Sequence, residues 1–157
     1  MRLQLALNVR NLEEAIDFYG RFFNAKPHKV RKGYANFAID APPLKLVLLE
    51  NPRAAERLNH LGVEVFEQKE VDRAQQRFGE NRILDSVETQ ALCCHAVQNK
   101  VWAREPQGLK WEWYRITDDN PPDTERRAGC GAPGTEQGET TCCAPGAEHR
   151  VRARSAA

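Results

Sequence analysis

The stretch "QLALNVRNLEEAIDFYGRF" (residues 4–22) recurs in pattern as "HLGVEVFEQKEVDRAQQRF" (residues 60–78). Aligned without gaps, the two copies place Leu5 on Leu61. Each copy begins with apolar residues at alternate positions, which is typical of a strand with one buried face. Each then changes to the spacing of an amphipathic helix. The chain therefore predicts the same strand–helix unit twice.

The first helix has a clear predicted start. Asn11 is the expected N-cap, because Glu14 follows three residues later as the partner of a capping box. The apolar residues behind it follow helical spacing, so we expect them to form the buried face: Ala15, Phe18, Tyr19 and Phe22.

Short strands, separated by turn residues, follow each predicted helix. They are read from alternating apolar segments: "YANFAID" (34–40), "LKLVLLE" (44–50), "LCCHAV" (92–97), "KVWARE" (100–105) and "LKWEWYRI" (109–116). The predicted fold is α+β, with two βαβββ modules at about residues 1–50 and 57–117. Two such modules are expected to pair around a metal-containing cleft.

Composition changes after Thr117. Residues 118–157 contain no Phe, Trp or Tyr and are rich in Gly, Pro, Glu and Thr. Such a segment buries too little apolar surface to offset its ordering entropy, so we predict a disordered, cysteine-containing tail. The folded domain is expected at residues 1–117.

Charge and hydropathy exclude several classes of protein. The 23 Lys and Arg residues balance 22 Asp and Glu residues, which argues against a nucleic-acid-binding surface. No apolar run approaches the roughly 20 residues of a membrane helix. The start "MRLQLALNV" is interrupted by charge too soon for a signal peptide, so we expect a cytoplasmic protein. Five cysteines in such a protein are expected to be reduced thiols.

One trio of metal-binding side chains falls on corresponding predicted strands. Gln4 and His60 occupy equivalent positions in the two copies, and Glu112 lies on the final strand, on the same face as Tyr114. Val47 occupies the matching position of the first half and cannot bind a metal. An amide, an imidazole and a carboxylate suit a divalent ion such as Fe(II), Mn(II) or Zn(II) with open coordination positions.

Each of these residues also has a purely structural interpretation. Gln4 fits a polar surface, His60 a hydrogen-bonded structural residue and Glu112 a solvated strand position. The adjacent Cys93 and Cys94 could likewise be small buried hydrophobes. Spacing alone leaves these interpretations open.

The chain resembles the vicinal-oxygen-chelate superfamily, which includes glyoxalases, bleomycin resistance proteins and extradiol dioxygenases. Together with "CCHAVQNKVW" (93–102), the quoted segments look most like its CadI/ArsI branch, the cadmium-induced proteins and arsenic-inducible non-haem iron C–As lyases. The resemblance covers residues 1–117. It implies an Fe(II) cofactor and O2-dependent cleavage of trivalent organoarsenicals such as methylarsenite and aromatic arsenicals.

The resemblance also implies roles for individual residues. It places the iron ligands on the trio and the arsenic-binding thiol pair on Cys93 and Cys94, while His95 and Trp113 depart from the expected Tyr and aliphatic residue. Thiolates are suitable ligands for soft As(III), and two vicinal thiols chelate it. Both sulfurs reach one arsenic only if the strand is interrupted, so we predict a loop or bulge at residues 90–95.

Further candidate residues line the cleft or lie in the tail. Four aromatic residues are candidate pocket walls, although aromatics on strands are also typical of plain core: Tyr34, Phe37, Trp102 and Tyr114. Three tail cysteines are candidate thiols that capture As(III) or simply buffer soft metals: Cys130, Cys142 and Cys143.

Two other functions remain open from the sequence. One is a thiol-based binding protein that sequesters Cd(II) or As(III) without turnover. The other is a different vicinal-oxygen-chelate dioxygenase, against which the cysteine pair argues, because ring-cleaving chemistry needs no protein thiol. The expected partners are a small organoarsenical and O2, with no nucleic acid or membrane. The short linker permits module pairing within one chain or across a homodimer.

Overall fold

Ten elements follow one another in a computed structural model that describes residues 1–93 and 95–122. The first half contains β1 (Arg2–Val9), α1 (Leu12–Phe23), β2 (Lys29–Arg31), β3 (Tyr34–Ile39) and β4 (Leu44–Glu50). The second half contains β5 (Leu58–Glu64), α2 (Gln68–Glu80), β6 (Leu84–Cys93), β7 (Ala96–Arg104) and β8 (Lys110–Asp118). Both halves therefore have the order βαβββ.

The eight strands form one mixed sheet in the order β2-β3-β4-β1-β5-β8-β7-β6. The antiparallel pair β1–β5 lies at its centre, and each central strand pairs in parallel with the last strand of its own half. The two halves are thus arranged symmetrically about the β1–β5 pair. The sheet curls into a half-barrel, which confirms the predicted α+β fold.

Asn11 starts α1 as predicted. Its Oδ1 accepts the backbone N–H groups of Glu13 and Glu14 at 3.0 and 3.2 Å, and its Nδ2 donates to Glu14 Oε1 at 2.9 Å. These bonds satisfy donors that a helix start leaves without intrahelical partners. The cap fixes where the helix leaves β1.

The buried face of α1 agrees only in part with the predicted one. Ala15 and Tyr19 pack against the core as predicted, together with Leu12, Ile16 and Phe23. Phe18 and Phe22 are instead 53% and 68% exposed, and their rings stack on each other 5.9 Å apart. The prediction was wrong for Phe18 and Phe22 because aromatic residues at 18, 19, 22 and 23 allow two overlapping helical stripes.

Phe37 lies under α1 and not in the cleft. It is fully buried with Leu46, its partner on β4, in the core that α1 covers. Alternation along β3 sends Tyr34 and Asn36 to the opposite face. The assignment of Phe37 as a pocket wall is therefore wrong.

Buried polar side chains collect on the concave face, away from the helices. By strand alternation and register, this face holds the ten buried polar residues among those described: Gln4, Asn8, Lys29, Asn36, Lys45, His60, Glu64, Gln98, Lys100 and Glu112. Buried polar groups require partners, so their concentration on one face indicates a site rather than a packing layer.

The folded structure continues beyond the predicted boundary at residue 117. Strand β8 ends at Asp118, Asp119 bonds to Lys29, and Pro121 is almost fully buried. Within the described residues, no helix is long and apolar enough to span a bilayer.

Candidate metal centre

Three polar side chains from three neighbouring strands converge on the concave face. Gln4 Nε2 lies 3.0 Å from His60 Nε2 and 2.5 Å from Glu112 Oε1. His60 Nε2 lies 3.2 Å from Glu112 Oε1. The three residues are only 4–5% exposed. The structure thus brings together the trio named from the sequence.

The sheet register explains this convergence. Gln4 pairs with Gly62, and Gly62 pairs with Glu112, so a residue without a side chain lies between the two. His60 lies two residues before Gly62 and therefore on the same face of β5. The long Gln4 and Glu112 side chains meet across the space above the glycine.

The spacing of the trio fits one divalent metal ion. Three donor atoms at right angles, each about 2.1 Å from a metal, lie about 3 Å from one another. The observed separations are 2.5, 3.0 and 3.2 Å, with the Gln4 amide nitrogen in the place that its oxygen would take in a metal site. Within residues 1–93 and 95–122, no three His, Cys, Asp or Glu side chains form such a group. The amide of Gln4 is therefore needed to complete the donor set.

The neighbours of the trio orient two of its members. Asn59 Oδ1 lies 2.7 Å from His60 Nδ1 and accepts its N–H, which turns Nε2 towards Gln4 and Glu112. The hydroxyl of Tyr114 donates to Gln4 Oε1. A metal requires the amide oxygen, because Nε2 carries no available lone pair. Gln4 must therefore turn its amide by half a rotation to bind a metal.

Lys100 supplies the positive charge that accompanies Glu112. Its Nζ lies 3.3 Å from Glu112 Oε2, and the residue is 1% exposed. Burial raises the pKa of Glu112, but the Lys100 ammonium and the His60 hydrogen bond outweigh burial and lower that pKa below its usual value. The carboxylate is therefore negative at neutral pH, as a metal ligand must be.

A second row of polar side chains crosses the sheet beside the trio. Registered pairs join its five members across five strands: Arg2, Glu64, Tyr114, Lys100 and Glu88. Its central members contact the trio through the Tyr114 hydroxyl and the Lys100 ammonium. Burial, with the charges of Glu112 and Glu64, raises the pKa of Tyr114 well above 10.0, so its hydroxyl remains a donor.

Sequence reasoning missed three features of this face. Gly62 and Glu64 follow His60 at alternate positions, so alternation could have placed both in the cleft. The same rule places Lys100 beside Trp102. Only the three-dimensional register shows which residue contacts which, as in the 3.0 Å ion pair between Lys45 Nζ and Glu64 Oε1.

Comparison with known proteins places this geometry in a family. The Glyoxalase/Bleomycin resistance protein/Dioxygenase superfamily matches residues 3–113. The chain belongs to this superfamily. The chain is 16% identical to the Mn(II)-bound glyoxalase from Novosphingobium aromaticivorans, with a TM-score of 0.56 over 76% of this chain and 40% of that one. At that identity, the likeness concerns the fold alone.

Two relatives of this superfamily member align with it over nearly their whole length. The cadmium-induced protein CadI of Mycobacterium tuberculosis is 47% identical over 145 residues, covering 92% of this chain and 93% of the relative. A trivalent organoarsenical cleaving enzyme of Thermomonospora curvata is 45% identical over 145 residues, covering 92% and 89% respectively. The resemblance to the CadI/ArsI branch is thereby confirmed.

Cys93 lies on the same concave face of the sheet as the trio. It is the last residue of β6, is half-buried and pairs with Ala96 across the turn into β7. Ala96 alternates with Gln98 and Lys100 on this face of β7, which places Cys93 there too. The other predicted thiols, Cys94, Cys130, Cys142 and Cys143, lie outside the described residues.

The strand that carries Cys93 is irregular. Its register with β7 shifts between Glu88 and Ala91, and Gln90 and His95 adopt positive φ values of 51° and 66°. A shift of this kind is the signature of a bulge. The irregularity overlaps the predicted segment 90–95.

Three of the four predicted pocket walls lie on the concave face. Trp102 contacts His60 edge to face, with ring centroids 5.4 Å apart, and its Nε1 donates to Glu88 Oε1 at 2.8 Å. Tyr114 is fully buried beside Gln4. Tyr34 lies in a small apolar cluster further along the same face.

Proposed function

We propose that this protein is an Fe(II)-dependent C–As lyase that uses O2 to convert trivalent organoarsenicals to inorganic arsenite. The observation that carries the proposal is the buried trio of Gln4, His60 and Glu112 on the sheet face that also carries Cys93. A relative named as a trivalent organoarsenical cleaving enzyme, 45% identical, supports the substrate class.

In this proposal the trio holds the metal, and Cys93 with Cys94 binds the substrate through arsenic. Thiolates are soft ligands that suit As(III), whereas the oxygen and nitrogen atoms of the trio suit a divalent transition metal. Bound Fe(II) with open positions supplies the activation of O2. Holding arsenic by sulfur beside the metal replaces a random encounter with a fixed geometry.

The organic group of the substrate has an apolar surface available on the same face. Ala6, Tyr34 and Val47 form a buried cluster there, with Leu49 packed against it. Val47 occupies the position in β4 that corresponds to Glu112 in β8. One half of the cleft thus binds the metal, while the other half accepts a methyl or aryl group.

The overall reaction balances without a further reductant. Methylarsonous acid and O2 contain together the atoms of formaldehyde and arsenous acid. The carbon–arsenic bond breaks, the methyl carbon is oxidised, O2 is reduced, and arsenic leaves still trivalent. Formaldehyde and arsenite should therefore form in equal amounts from methylarsenite.

The test is turnover by the purified, full-length protein. We expect protein loaded anaerobically with Fe(II) to release arsenite and formaldehyde from methylarsenite only after air is admitted. Glu112→Ala should abolish both metal binding and turnover, whereas Glu13→Ala, an exposed carboxylate on α1, should retain both. Cys93→Ser should lose arsenical binding and keep the metal. Turnover by metal-free protein would refute the proposal.

A thiol-based sequestration protein is the second candidate. It is favoured by the 47% identical relative named as cadmium-induced. In that case, methylarsenite or Cd(II) binds to the thiols and is recovered unchanged after aerobic incubation with Fe(II). The same incubation separates the two candidates.

A further inference from the structure

Lys29 joins three separate parts of the chain at one end of the cleft. Its Nζ donates to His95 O at 3.3 Å, to Asp119 Oδ1 at 2.7 Å and to Asp119 O. An ammonium group has three N–H donors, so these three acceptors use all of them. Lys29 is 7% exposed, which makes the bonds buried and strongly directional.

These bonds connect opposite edges of the half-barrel. Lys29 begins β2, at one edge of the sheet, whereas His95 lies in the turn between β6 and β7 at the other edge. The ring of Tyr34, on the strand next to β2, lies 5.4 Å from the ring of His95. The β6–β7 turn is thus fixed from across the cleft and not only by its own hairpin.

The turn that Lys29 contacts is the turn that follows Cys93. His95 is two residues after Cys93 and has a positive φ of 66°, a backbone conformation that non-glycine residues seldom adopt. Gln98 Nε2 donates to Cys93 O at 3.5 Å, and Gln98 lies two residues before Lys100 on the same strand face. The position of the turn therefore sets the position of Cys93 on the concave face.

We propose that Lys29 is a positioning residue for substrate binding, which holds the β6–β7 turn and thereby keeps Cys93 in place on the concave face. This inference rests on the proposed function, because it assigns a purpose to the placement of Cys93. The Lys29 ammonium donates to His95 and Asp119, so its effect on the site is expected to pass through the turn. Its loss should weaken arsenical binding and leave the metal site intact.

Asp119 is the anchor on the other side of the ammonium. Its Oδ2 lies 3.0 Å from His28 Nε2, and Arg31 Nη2 donates to Asn120 Oδ1 at 3.2 Å. The end of β8 is therefore held against β2 by neighbouring contacts. Lys29 can hold the β6–β7 turn in place because Asp119 is itself held by these contacts.

The experiment measures two affinities on the full-length protein. Phenylarsine oxide is the arsenical probe, and Co(II), followed by its visible absorption, reports on the trio. We expect Lys29→Met to raise the dissociation constant of phenylarsine oxide about tenfold, the value of one buried charged hydrogen bond. Co(II) affinity should change less than about twofold on the same reasoning, and Lys29→Arg should restore much of the arsenical affinity.

Control variants distinguish a failure of the role of Lys29 from a failure of the proposed function. Lys26→Met, an exposed lysine three residues earlier, should behave as wild type in both measurements. If wild-type protein and Cys93→Ser bind phenylarsine oxide equally well, the proposed function fails. If the wild type binds through Cys93 and Lys29→Met binds equally well, only the role of Lys29 is overturned. Should Lys29→Met not fold, Asp119→Asn replaces it, and unchanged arsenical affinity there overturns the role.

Discussion

A Cβ atom on Gly62 would lie 2.8 Å from Cγ of Glu112, closer than carbon atoms can approach without displacement. It would also lie 3.3 Å from Gln4 Nε2 and 3.3 Å from the backbone oxygen of Glu112. The space above Gly62 is therefore already filled by the two side chains that meet there. Any larger residue must push the candidate ligands apart.

Gly62→Ala should consequently damage the site. We expect a loss of about 1–3 kcal/mol in the free energy of unfolding, which is typical of an overpacked interior, together with weaker Co(II) binding. Gly79→Ala is the matched control, because a Cβ there meets nothing within 4 Å and lies in α2. That control should stabilise the protein by about 0.5–1 kcal/mol. Equal effects of the two substitutions in urea unfolding would contradict this account.

Lys100→Met should have opposite effects on the metal-free and metal-loaded protein. The metal-free protein loses the partner of a buried carboxylate, at a cost of about 3–5 kcal/mol in the free energy of unfolding. A divalent ion can replace the missing ammonium, and its binding no longer meets a neighbouring positive charge. The rise in Tm on adding Co(II) should therefore exceed that of the wild type. A smaller rise would show that Lys100 assists metal binding directly.

Tyr114→Phe tests the hydrogen bond to the Gln4 amide. Removing the hydroxyl leaves Gln4 Oε1 without its donor, so we expect a loss of about 1–3 kcal/mol in stability. The amide is also freed to turn its oxygen towards His60 and Glu112, so we expect tighter Co(II) binding. Because the pKa of Tyr114 lies well above 10.0, both effects should stay constant across the neutral pH range. Calorimetry and Co(II) titration at several pH values check this, and a pH-dependent effect would exclude the explanation.

The ion pair of Asp119 predicts a specific pH dependence of stability. Burial raises the pKa of Asp119, but Lys29 and His28 outweigh burial and lower the pKa below the ordinary 3.8. A lowered folded-state pKa stabilises the fold above pH 3.8 and loses that contribution as the pH falls through the folded-state value.

Asp119→Asn should therefore unfold at lower urea concentration than the wild type at neutral pH, and the difference should shrink below pH 3.8. We expect less than about 1 kcal/mol, because the Asp119 side chain is 41% exposed and solvent screens the pair. The side chains that contact the Asp119 carboxylate are Lys29 and His28. Substituting His28 by Gln measures how much of the effect of Asp119 on stability depends on His28. A difference in stability between Asp119→Asn and the wild type that grows as the pH falls would contradict this explanation.

Much of the fold followed from the sequence because strand alternation and helical spacing are local properties. The repeat at an offset of 56 residues placed Gln4 and His60 on equivalent strands, and alternation gave the face of Glu112. These two inferences were enough to name the trio, whose members the structure brings within 3.2 Å of one another. Periodicity transfers directly into geometry when strands are short and regular.

Other features depended on information that the sequence does not carry. The burial of Phe23 in place of Phe22 depends on how α1 rotates on the sheet, which aromatic residues at four neighbouring positions do not decide. The contact between Lys29 and His95 joins the two edges of a curled sheet, 66 residues apart in sequence. Register shifts in β6 and β7 also break the simple counting rule. Each of these three features is determined by tertiary packing.

The separation of the two sheet faces has a consequence for how this protein can change over time. Along β8, Glu112 and Tyr114 face the cleft, while Trp113 faces the α2 core with Phe78. Adjacent residues of β8 are therefore under different constraints, one from the chemistry of the cleft and the next from packing of the core. A lineage can exchange residues of the cleft to suit a new metal or substrate while every helix contact stays in place.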